Sequence, residues 1–161
     1  MILFISMFSF FLDGILSKYV LPNSLFLPLL TIVSLIIIYP YFNNDNYRYF
    51  KYIAILGILY DIAYMNLIFY NFFIFMLLGF INVFIKYLIS DRLSINIFIT
   101  IILIVVYRFI NFMYINIVSS MSFEFLFKSI YSSLILNIIY CVFIYLISEW
   151  LSKKYKILKS K

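Results

Sequence analysis

Histidine is absent from this 161-residue chain, and cysteine occurs once, at Cys141. Without histidine no His/Cys metal cluster can be assembled, and the usual general base of a nucleophilic site is missing. A single thiol closes no intrachain disulfide. Cys141 lies inside an apolar run and reads as a small buried thiol. Glycine is confined to Gly14, Gly57 and Gly79, which rules out a glycine-rich phosphate loop. Charge is scarce too: Asp, Glu, Lys and Arg make up 11% of the residues, against roughly 25% in an ordinary soluble domain.

Hydrocarbon fills the space that charge leaves. Hydrophobic residues account for 67% of the chain and the mean hydropathy is +1.14, values that point to an integral membrane protein. A helix crosses a bilayer core in about 20 mostly apolar residues. Six runs of that kind are present, Ile2 to Tyr19, Leu25 to Phe42, Tyr52 to Tyr70, Phe72 to Ile89, Ile95 to Ile117 and Phe127 to Leu151. The stretches between them are too short for a soluble domain. We therefore expect residues 1–161 to form a single all-α transmembrane domain, a bundle of six helices.

The first run has no basic leader and no small-x-small cleavage site, so it is expected to remain as a span. Pro22 and Asn23 break the first connection, and Asn43, Asn44, Asp45 and Asn46 form the second. Tyr70 and Asn71 mark a tight turn between the third and fourth helices. Pro28 is expected in the first turn of the second helix and Pro40 near its end, positions where proline is tolerated. No repeat is visible.

Basic residues in short loops stay on the cytoplasmic side. With six spans, Arg48, Lys51, Lys86, Arg92, Lys153, Lys154, Lys156, Lys159 and Lys161 share one side, nine against Lys18 and Lys128 on the other. Both termini are therefore expected to face the cytoplasm. The lysine-rich tail reads either as a topology anchor or as a contact with anionic lipid.

The informative positions are polar residues within the runs. A carboxylate at a helix centre costs roughly 2.5–3.5 kcal/mol on insertion scales, so Asp61 is a functional candidate by default. Ala54 and Gly57 fall on its face at helical spacing, where small residues let another backbone approach. By depth, Asn82 and Asn137 are expected near Asp61 at the midplane, as one hydrogen-bonded layer or as side chains bonding locally. Arg108 is expected in the outer half of the fifth helix, either paired with Asp13 or Asp61 or snorkelling outwards. Proteolysis by paired aspartates is disfavoured, because Asp61 follows Gly57-Ile-Leu-Tyr rather than G-x-G-D.

The segment Gly57-Ile-Leu-Tyr-Asp61-Ile-Ala-Tyr-Met-Asn-Leu, with Asn71-Phe-Phe-Ile-Phe and Gly79-Phe-Ile-Asn-Val after it, resembles the rod shape-determining protein MreD family. Leu27-Pro-Leu-Leu and Leu136-Asn137 fit the same pattern. Met65-Asn66 and Tyr70-Asn71 stand where that family often has a glycine pair. Carried over by position, the resemblance reaches Gly57, Asp61, Gly79 and Asn137, and not Asp13 or Arg108. It implies a non-enzymatic scaffold of the cell-wall elongation machinery, involved in cell shape and lateral peptidoglycan synthesis. The implied partners are an MreC-like protein, MreB-like filaments, and RodA with its transpeptidase, besides membrane lipid. No cofactor, metal, nucleic acid or small-molecule substrate is expected.

The helical arrangement implied is also similar to that of the substrate-binding subunits of energy-coupling-factor vitamin transporters. That second reading predicts a cavity open to the outside, lined by Asn111, Tyr114, Asn116 and Glu124.

Overall fold

A computed structural model describes residues 1–20, 28–43, 45–65, 69–89, 91–118 and 122–154. These residues are helical almost throughout, with no strand among them. The six α-helices are α1 (Ile2–Ile15), α2 (Leu30–Ile38), α3 (Asn46–Tyr60), α4 (Tyr70–Leu88), α5 (Leu93–Val118) and α6 (Phe123–Lys154). Three of them, α4, α5 and α6, are long and apolar enough to cross a membrane. Pro22, Asn23, Asn44, Asn66, Lys156, Lys159 and Lys161 lie outside the described residues.

All nine residues of α2 are buried, and the helix packs against α1, α4, α5 and α6. A helix that is apolar on every side belongs in the middle of a bundle. Around it α3 pairs with α4 and α5 with α6. Ser6 of α1 meets the Tyr52 hydroxyl of α3, and the Tyr41 hydroxyl donates to Ser148 O of α6 at 3.2 Å. These contacts set the start of α1, the start of α3 and the end of α6 at one end of the bundle.

The bundle buries polar side chains beside its apolar core and turns large apolar ones outwards. Its interior holds Ser9, Asp13, Asp61, Asn82, Arg108 and Asn137, all buried. Its surface carries Phe4, Ile62, Phe80, Phe109, Phe127 and Phe143, all exposed. Apolar periphery around polar contacts is the arrangement expected where lipid, not water, is the surrounding medium.

Several boundaries differ from the hydropathy reading, each for a local reason. Asp45 caps α3, accepting from Arg48 N at 3.1 Å and pairing with Arg48 Nε at 2.9 Å. The helix therefore begins at Asn46, not Tyr52, through a polar first turn that a hydropathy window ignores. Asn43 ends the preceding turn at φ 52°, a left-handed conformation that asparagine tolerates. Tyr70 and Asn71 are not the turn between α3 and α4; they are the first two residues of α4. Pro28 precedes α2, which begins at Leu30.

Both α1 and α3 end in a widened π-helical turn, Leu16–Val20 and Asp61–Met65. At its other end α2 tightens into a 3₁₀ turn, Tyr39–Phe42, which contains Pro40. Nine α-helical residues and four 3₁₀ residues span about 22 Å. That is well short of the roughly 30 Å hydrocarbon core.

Candidate functional site

The first turn of a helix has N–H groups with no partner inside the helix, and burying them uncapped is costly. Because α2 is enclosed on all sides, its first turn needs acceptors from elsewhere in the protein. Asp13 supplies them. Its Oδ1 accepts from Leu30 N at 2.8 Å, and its Oδ2 accepts from Thr31 N at 2.8 Å and from the Thr31 hydroxyl at 2.5 Å. Asn137 of α6 completes the cap, its Oδ1 accepting from Leu29 N at 2.9 Å while its Nδ2 donates to Ser133 O at 2.7 Å.

Asp61 does the same for α4. Oδ1 accepts from Asn71 N at 2.8 Å and from Asn71 Nδ2 at 2.9 Å, and Oδ2 accepts from Phe72 N at 3.2 Å. Each of these aspartates thus bridges two successive N–H groups at the start of the helix that follows its own. The positive end of the helix dipole faces a carboxyl group in both places. Both carboxylates lie close to a π-helical turn, Asp13 three residues before Leu16 and Asp61 at the first residue of its turn.

Gly57 belongs to the same device. A Cβ there would lie 2.7 Å from Phe72 Cα and 3.0 Å from Asn71 O, so glycine is what lets the first turn of α4 come within reach of Asp61 one turn later. Gly79 faces α3 on the other side of the hairpin, and a Cβ would run into the end of the Ile53 side chain. The small face expected from Gly57 does meet another backbone, and that backbone is α4 of the same chain. Ala54 is half-buried on α3.

Asp61, Asn82 and Asn137 do not form one layer. Asp61 closes α3, fifteen residues after Asn46, and Asn137 holds the start of α2. Asn82 lies at the opposite end, where its Nδ2 donates to the Tyr49 hydroxyl at 2.9 Å and to Leu35 O at 3.4 Å. The earlier start of α3 puts Asp61 at the end of that helix instead of near its middle. Arg108 is buried, and its Nε donates to the Ser133 hydroxyl at 3.2 Å.

Sequence reasoning missed Lys86, which hydropathy assigns to a loop flank. Its ammonium is buried and donates to Ile36 O at 2.6 Å and to Asp91 at 3.0 Å. Pro40 explains the first contact. In an α-helix Ile36 O would accept from the N–H of residue 40, and proline has none. The signal was present in the sequence as a proline four residues after an apolar position that must be buried. The result is a central helix with a carboxyl group at its start and an ammonium near its end, the order that the macrodipole favours.

Towards the far end Tyr70 donates to Asn111 Oδ1 at 2.9 Å, Asn111 Nδ2 donates to Tyr107 O at 2.9 Å, and the Tyr70 and Tyr114 rings pack at 4.9 Å. Glu124 is exposed in the first turn of α6. Among the described residues no group of three or more His, Cys, Asp or Glu side chains could hold a metal. Comparisons with known protein families, curated proteins and solved structures find no match.

Proposed function

We propose that this chain is a non-enzymatic membrane scaffold of the bacterial cell-wall elongation machinery, of the MreD kind, that crosses the inner membrane six times with both termini in the cytoplasm. The observation that carries the reading is the use of both intramembrane carboxylates as helix caps. A carboxylate serving as acid, base or ion ligand would keep an oxygen free for its substrate. Asp13 and Asp61 instead hold backbone, which is what a rigid docking frame requires.

Three further features support the reading. The resemblance runs through Gly57 and Asp61, which act together on the start of α4. Gly79 packs the same hairpin. The apolar periphery leaves helix faces on which other membrane proteins can pack without displacing water. Partner contact on this reading involves the outer faces of the bundle, with Asp61 acting through the position of α4. MreC-like, MreB-like and RodA-like proteins, the last with its transpeptidase, are the proposed associates.

The vitamin-transporter reading is less well supported, since Asn111 and Tyr114 are engaged with Tyr70. Affinity purification of the full chain from native membranes tests the proposal. Recovery of a single-span MreC-like protein is expected, together with rounding of rod-shaped cells when the chain is depleted. Normal cell shape on depletion and a vitamin-dependent thermal shift of the purified protein would replace it with the transporter reading.

A further inference from the structure

Among the described residues, two fully buried side-chain oxygens have no hydrogen-bond partner, Asn82 Oδ1 and Asn96 Oδ1. They are not scattered. Asn82 precedes Lys86 by one turn on the same face of α4, and its Nδ2 reaches Leu35 O, next to the Ile36 O that Lys86 holds. Asn96 Nδ2 donates at 3.0 Å to the same Asp91 oxygen that accepts from Lys86. Both orphan acceptors therefore flank one ion pair at the end of α2.

A buried amide oxygen without a donor is costly, and native interiors resolve such cases with ordered water or an ion. Charge decides between the two here. Lys86 already balances Asp91, and a second cation would sit beside the ammonium with only neutral amides to offset the repulsion. A neutral donor is required. The pair lies at the loop side of the bundle, with the Asp91 side chain 15% exposed and that of Lys86 3% exposed.

We propose that the Lys86–Asp91 pair is hydrated by an internal water cluster that donates to Asn82 Oδ1 and Asn96 Oδ1. The cluster would let the pair keep its charges inside the bundle, because water supplies solvation that apolar neighbours cannot. It also distinguishes this end of α2 from the start of the helix. There Asn137 Oδ1 and both Asp13 oxygens are met by protein donors.

Water-edited solid-state NMR on the intact protein in lipid bilayers tests this with internal controls. Magnetisation from water is expected to reach the side-chain amides of Asn82 and Asn96 several-fold faster than those of Asn71 and Asn137. Equal build-up at all four amides, or fast transfer to only one of the pair, would overturn the proposal. So would transfer that appears only when sodium or potassium is present, since that would assign the site to a cation.

Discussion

A carboxylate has two acceptor oxygens, and at Asp13 and Asp61 both are in use on adjacent backbone N–H groups. Asparagine keeps the shape but replaces one oxygen with a donor that faces an N–H. Asp61→Asn is therefore expected to destabilise the protein by about 1–3 kcal/mol for a buried donor left without its acceptor, and Asp61→Ala, which removes both acceptors, by more, measured by unfolding titration in mixed micelles. An Asn variant as stable as the parent would mean that the second oxygen is idle. The glycines separate in the same way. Gly57→Ala meets α4 backbone and should be severe, whereas Gly79→Ala meets the end of Ile53, and Ile53→Val, which removes that atom, should restore most of the loss. The expense of Asp61 and the small face beside it could be read from the sequence. What Asp61 holds could not, because the capped N–H groups lie ten and eleven residues further on, beyond any local capping signature.

The second helix shows how an element that violates ordinary helix rules is stabilised by its neighbours. It begins inside the bundle, and it ends at a proline that removes a donor. Asp13 and Asn137 meet the first problem and Lys86 the second. If Lys86 substitutes for the donor missing at Pro40, then Lys86→Met should cost less in a Pro40→Ala background, where Ile36 O can recover a backbone partner. A coupling of about 0.5–3 kcal/mol in that double-mutant cycle is the expected result; simple additivity would show that Lys86 serves only Asp91. Hydropathy reveals that α2 exists but not where it begins, since Leu25 to Leu29 contains as much hydrocarbon as the helix itself. Its enclosure follows from packing by four other helices, which no single run encodes.

For the molecule as a whole, six helices with an apolar exterior and polar contacts inside follow from composition and from the spacing of the apolar runs. Sidedness is the part of the proposal most open to direct test. In a Cys141→Ala background, Ser122→Cys is expected to react with a membrane-impermeant maleimide added to intact cells, and Arg92→Cys only after permeabilisation. The reverse pattern would invert the topology. The start of α1, the end of α6 and the Lys86 site share one end of the bundle, while Asp13, Asp61 and Arg108 lie towards the other. Basic residues in the sequence mark the two ends; the pairing of aspartates with helix starts emerges only once the chain is folded. Backbone amide exchange in the single variants Asp13→Asn and Asp61→Asn is the most direct test of that pairing. Asp13→Asn should accelerate exchange at Leu30 and Thr31 and leave Asn71 and Phe72 protected, and Asp61→Asn should do the opposite. Exchange unchanged at those four positions, or raised uniformly along the chain by either variant, would show that the aspartates do not cap these helices.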